Sequence, residues 1–126
     1  MYVLGTVSKN NLKGVHPDLV KVVEKAITLT EIDFRVTEGL RSKTRQIELV
    51  NKGASKTLNS RHITGHAVDV VALIGGSVRW DWPLYDKIAK AFKQAAQELN
   101  VPIVWGGDWK TFKDGPHFEL DRNVYK

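Results

Sequence analysis

Two short segments hold the side chains best suited to chemistry, His62-Ile63-Thr64-Gly65-His66-Ala67-Val68-Asp69 and, near the end of the chain, Asp114-Gly115-Pro116-His117. His62, Asp69 and His117 together offer two imidazole nitrogens and a carboxylate. Three such ligands with a fourth position open to water make the pattern of a catalytic zinc, not of a closed structural one. The chain contains no cysteine, so a metal would be held by nitrogen and oxygen alone. Zinc acidifies a water and polarises a carbonyl, which leaves the protein to supply a base for the water's proton. Asp114 is the candidate base.

The spacing constrains the backbone. On a continuous helix His62 and Asp69 would stand roughly 10 Å apart along the axis, whereas ligand atoms on one zinc each lie about 2 Å from it. An extended strand would separate them further, at about 3.3 Å per residue. The chain must therefore fold back between them, and Thr64-Gly65 is where it can. The run Ala67 to Leu73 reads as a buried strand with Asp69 on the face of Ala67 and Val71. A carboxylate there needs a partner, and a metal ion is one of the few that offsets its burial. Gly115-Pro116 forms a turn, after which His117-Phe118-Glu119-Leu120 alternates like a half-buried strand. His117 and Glu119 then face one way, and Glu119 is placed to orient a ligand. His66 lies four residues after His62, a helical metal-pair spacing, but Gly65 and the lack of an intervening Glu argue against that pairing. It is read as a loop or substrate-side residue.

The pattern Ser60-x-His62-x-x-Gly65-x-Ala67-x-Asp69, with an acidic residue three positions before His117, resembles a family of zinc peptidases. That family includes D-alanyl-D-alanine carboxypeptidases and dipeptidases and the phage L-alanyl-D-glutamate endolysins. The resemblance covers most of the chain. It implies zinc on His62, Asp69 and His117, Asp114 as acid/base, and Arg41, in Glu38-Gly39-Leu40-Arg41-Ser42, as the donor that steadies the oxyanion. Ser60, Gln46, His66 and Trp109 are the candidate substrate contacts. The dipeptidase branch usually carries Glu at the Asp114 position. The shorter Asp114 and the segment Trp105-Gly106-Gly107-Asp108-Trp109 look more like the endolysin branch. Expected from this is cleavage between L-alanine and D-glutamate of the peptidoglycan stem, leading to host lysis. One alternative is a carboxypeptidase or dipeptidase that trims the stem terminus. Such an enzyme needs a cation for the terminal carboxylate, and no Arg or Lys stands in a motif position for it, although Arg45 and Lys113 could serve. Another is a non-catalytic zinc-bearing wall-binding module, as in hedgehog-type relatives, which would have no use for Asp114 or Arg41.

Composition and periodicity set the frame that must position these groups. With 126 residues the chain reads as one domain, 1–126. A formal net charge of +5 favours anionic polymers such as bacterial envelopes. The basic residues are scattered, and no aromatic-basic motif supports nucleic-acid binding. No basic start followed by an apolar stretch marks a leader, and no run approaches the length of a membrane span. A monomer in the host cytoplasm is expected, without membrane insertion, reaching the wall with the help of a holin. Helices are expected from Pro17 to about Thr28, from Ser42 to Gly53 with Ile47 and Val50 inward, and from Asp81 with a stripe of Leu84, Ile88, Ala91, Phe92, Ala95 and Leu99. Strands are expected at 34–37, 67–73, 77–80, 102–105 and 117–120, with Gly75-Gly76 as a hairpin turn and a polar loop over 54–61. Helices and strands do not alternate regularly. The expected fold is α+β, a small, mainly antiparallel sheet flanked by about three helices, like that of hedgehog and D-Ala-D-Ala peptidases.

Overall fold

The computed structural model describes residues 1–55 and 60–126, so the polar loop expected over 54–61 lies partly outside the described residues. Two helices build one side of the molecule. Helix α2 (Pro17–Leu29) starts on a proline, and the His16 ring accepts a hydrogen bond from Asp18 N. It buries Leu19, Val22, Val23, Ala26 and Ile27. Helix α4 (Trp82–Leu99) buries Tyr85, Ile88, Ala89, Ala91, Phe92, Ala95 and Ala96. The apolar stripe stops there. Leu99, expected within it, is exposed because the helix ends at once in a left-handed Asn100.

The sheet is antiparallel throughout, in the order β1 (Asp33–Glu38), β2 (Ala67–Ile74), β5 (His117–Leu120), β4 (Ile103–Trp105). Strand β3 (Ser77–Arg79) pairs with the far half of β2 through the Gly75-Gly76 turn, where both glycines have positive φ as that hairpin type demands. Alternation then sorts the side chains. Phe34, Val36, Val68, Val70, Ala72, Phe118 and Leu120 join the apolar cluster with α2 and α4, and Phe92 stacks on Phe118 at 3.9 Å. Asp69, His117 and Glu119 are left for the opposite face.

Two helices depart from expectation. Helix α1 (Thr6–Asn11) is additional. It has no apolar stripe and buries only Ser8, so periodicity could not mark it. Tertiary bonds hold it: Val36 N donates to Ser8 Oγ and Asn11 Nδ2 donates to Val36 O, which caps the open edge of β1. Helix α3 (Lys43–Asn51) begins at the expected Ser42 cap, yet Ile47 is 49% exposed and Val50 only half-buried. Its one buried residue is Gln46, because α3 packs a polar network on the site side instead of the apolar core.

Candidate active site

Strand register brings the carboxylate to the second histidine. Asp69 and His117 are directly paired across β2 and β5, so their side chains leave the sheet on the same face. A bulge between Val36 and Glu38 in β1 sets Glu38, not Thr37, opposite Asp69. His62 arrives from the loop ahead of β2. Gly65 turns that loop with a φ of +74°, and its carbonyl accepts a hydrogen bond from His16 N. A Cβ there would lie 2.5 Å from Gly14 O, so a side chain is excluded as well as the conformation disfavoured. The chain doubles back where the spacing required.

The three ligand atoms lie within 4.8 Å of one another. His62 Nε2 and His117 Nδ1 each stand 3.2 Å from Asp69 Oδ1, and atoms bound to one zinc at about 2 Å can be at most about 4 Å apart. Tetrahedral donors about 2 Å from the ion stand about 3.3 Å apart, so the two 3.2 Å pairs already fit and only the two histidine nitrogens have to draw together. The tautomers also fit. His62 Nδ1 lies 2.9 Å from the Gly39 carbonyl, an acceptor only, so the proton sits on Nδ1 and Nε2 keeps its lone pair. That Nε2 is buried and makes no hydrogen bond. A buried orphan nitrogen beside a carboxylate is what a metal ligand looks like without its metal. His117 is oriented from behind: Nε2 lies 2.8 Å from Glu119 Oε1, and Arg122 Nε donates to Glu119 Oε2. This carboxylate–histidine arrangement turns Nδ1 toward the site.

Electrostatics follow the same geometry. Burial would raise Asp69, but its hydrogen bond with His117 and the nearness of His62 outweigh it and hold the carboxylate well below its usual range. Burial would lower His117, yet its bonds to Asp69 and Glu119 prevail and push it up to about 9. In the metal-free protein the protonated His117 therefore contributes stability that is complete below its ordinary value of 6.5 and is lost as pH rises toward 9. A metal on Nδ1 must displace that proton. We expect apparent zinc affinity to rise about tenfold per pH unit until His117 has titrated, with about one proton released per ion, as read by calorimetric titration in buffers of different ionisation heat. A pH-independent affinity would contradict ligation by His117.

The general-base candidate shares the cleft. Asp114 is half-buried, and its carboxyl is raised, first by burial and then by the negative charge of Asp69. Its backbone is fixed to Gly106 O and to His117 N, while Trp105 Nε1 donates to Gly115 O. Arg41, almost fully buried, is held in its plane by Glu38 Oε1 and Oε2 at 2.7 and 2.6 Å and by Gln46 Oε1 at 2.7 Å. Its Nη2 also stands 3.6 Å from Asp69 Oδ2.

One cleft of about 320 Å³ is lined by His62, Asp69, His117, Asp114, Arg41, Ser60 and Trp109, whose ring lies 5.1 Å from that of His117. Gln46 and His66 were expected there and do not line it. Gln46 is wholly buried behind Arg41, and His66 turns away to Thr64 Oγ1 and the His16 ring. Neither Arg45, paired with Glu48 at the surface, nor the exposed Lys113 reaches the cleft. Arg61 and Arg122 line it instead, together with Glu38 and Phe112. Nothing local in the sequence marks these four: the bulge sets Glu38 there, and Arg61, Phe112 and Arg122 come from turns and bends outside the strands.

A family model described as phage L-alanyl-D-glutamate peptidase matches residues 1–125. The chain is 34% identical over 125 residues to the L-alanyl-D-glutamate peptidase of Escherichia phage T5, covering 96% of this chain and 90% of that protein. Among solved structures, the Serratia marcescens L-Ala D-Glu endopeptidase ChiX superposes with a TM-score of 0.91 at 53% identity, over 95% of this chain and 90% of that one. The vancomycin-resistance D,D-dipeptidase VanXYg, at 19% identity and a TM-score of 0.55 over 84% of this chain and 50% of that one, shares the fold.

Proposed function

Given that this chain belongs to the phage L-alanyl-D-glutamate peptidase family, we propose that it is a zinc endopeptidase. It hydrolyses the bond between L-alanine and D-glutamate in the stem peptide of peptidoglycan. The observation that carries the metal reading is the buried, unpartnered His62 Nε2 beside the Asp69–His117 pair. His62 through Nε2, Asp69 through a carboxylate oxygen and His117 through Nδ1 would hold the ion. When bound there, zinc would supply the Lewis acidity that polarises a carbonyl and acidifies a water.

The chain's own groups do the rest. Asp114 accepts the proton of the attacking water and passes it to the departing D-glutamate nitrogen. Burial and Asp69 raise its carboxyl, which brings it nearer the operating pH and suits both halves of that task. Arg41 donates to the oxyanion from the N–H groups that Glu38 and Gln46 leave free on its terminal nitrogens. Because those two partners already fix the guanidinium plane, little reorganisation is needed as charge develops. Gln46 acts through Arg41 as a positioning residue. Ser60 and Trp109 form cleft wall against the stem.

In this reading the enzyme works as a monomer, is made in the host cytoplasm, and reaches the wall once a holin or similar factor has opened the inner membrane. No helix among the described residues is long and apolar enough to cross a membrane. The net charge of +5 suits an anionic wall. Digestion of isolated sacculi is expected to stop on chelation and to resume when zinc is added back. Full activity in metal-free protein would overturn the mechanism.

A further inference from the structure

Beside the catalytic cleft lies a second groove of about 540 Å³, lined by Lys43, Ile47 and Ile63 and, where it joins the cleft, by Arg61 and Arg122. We infer that this groove binds the carboxylate-bearing half of the stem peptide, from D-glutamate onward, which is the half that leaves after cleavage. The inference rests on the proposed L-alanyl-D-glutamate specificity and extends it to the direction in which the substrate lies.

Charge is the first argument. The catalytic cleft is lined by Glu38, Asp69, Asp114 and Glu119, whereas no carboxylate lines the second groove among the described residues. Lys43, Arg61 and Arg122 all do. Arg61 spends one terminal nitrogen on the Leu120 and Tyr125 carbonyls, and its Nε is buried without a hydrogen-bond partner. Arg122 is 61% exposed in its side chain and, among the described residues, is committed only through Nε, to Glu119. The junction therefore has cationic donors to spare for an anion.

The substrate has a matching asymmetry. Upstream of the scissile bond the stem is one L-alanine in amide linkage, without charge. Downstream, D-glutamate continues the chain through its γ-carboxyl, so its α-carboxylate is free beside the cut, and the stem ends in another carboxylate. Only the downstream half complements a groove of three cations. Ile47 supplies the apolar contact. It is 49% exposed on α3, where helical periodicity would have buried it, and the half-buried Ile63 lines the same groove.

The test uses the full, zinc-loaded chain and a synthetic peptide of D-glutamate γ-linked to a diamino acid and D-alanine, beside the same peptide with its D-glutamate α-carboxylate amidated. Titration followed by amide NMR should show saturable binding that shifts Ile47 and Ile63. Lys43→Glu and Ile47→Asp, both exposed changes that leave the zinc ligands in place, should each weaken binding about tenfold. Amidation should weaken it too, and Arg122→Ala should abolish the difference between the two peptides. No binding, shifts confined to the catalytic cleft, or unchanged affinity in both exposed variants would overturn the groove assignment. Hydrolysis is scored separately on L-alanyl-γ-D-glutamyl peptides. Binding without cleavage leaves the groove standing and removes the endopeptidase reading, and cleavage without groove binding does the reverse.

Discussion

Asp69→Ala is expected to eliminate bound zinc and hydrolysis together, with turnover falling by about four orders of magnitude or more. Asp69 Oδ1 is the atom that both histidines face at 3.2 Å, so its removal dismantles the whole donor set instead of one corner. His62→Ala and His117→Ala should lose metal and activity in the same way. Glu119→Ala should behave differently. It frees His117 Nε2 from its 2.8 Å partner but removes no ligand, so zinc affinity should fall about 10- to 100-fold and activity should return at high zinc. Metal content by mass spectrometry beside turnover separates these classes. Zinc retained at full occupancy by Asp69→Ala would exclude this centre.

Asp114→Asn is expected to keep its zinc and lose its catalysis. The amide preserves size and leaves the backbone bonds to Gly106 and His117 intact, but it cannot take a proton at neutral pH. A drop in kcat of about 100-fold or more with near-normal metal content follows from general-base chemistry. The pH profile carries a second signature. Since burial and Asp69 raise the Asp114 carboxyl, activity of the native enzyme at saturating zinc should fall on the acid side as Asp114 protonates, and under the same conditions this limb should vanish from the residual activity of the variant. Loss of zinc from Asp114→Asn would make Asp114 a ligand instead of the base.

The parts of the site carried by local pattern were legible in the sequence. The distance between His62 and Asp69 demanded a reversal, and Gly65 provides it with a positive φ. Alternation placed His117 and Glu119 on one face and Phe118 and Leu120 on the other, as observed. The stripes of α2 and the body of α4, the hairpin at Gly75-Gly76 and the antiparallel α+β class also follow from periodicity and turn chemistry. What failed depends on contacts between distant segments. Helix α1 exists because Ser8 and Asn11 bond Val36 some 25 to 28 residues away. The bulge that sets Glu38 opposite Asp69 shifts the register by one residue, which no residue type announces. Ile47 was expected inward because a helix with apolar residues normally packs on the core, and α3 instead buries Gln46 to hold Arg41. Gln46, expected as a substrate contact, is wholly buried and bonds Arg41.

Mass spectrometry of the products from purified muropeptides tests the central claim most directly, because it reads the bond that is cut. The fold alone does not fix that bond, since a D,D-dipeptidase shares it. Cleavage between L-alanine and D-glutamate predicts a glycan fragment ending in the free carboxyl of L-alanine and a released peptide with a new D-glutamate amino terminus. Release of free D-alanine from intact stems, with no new D-glutamate amino terminus, would contradict the account.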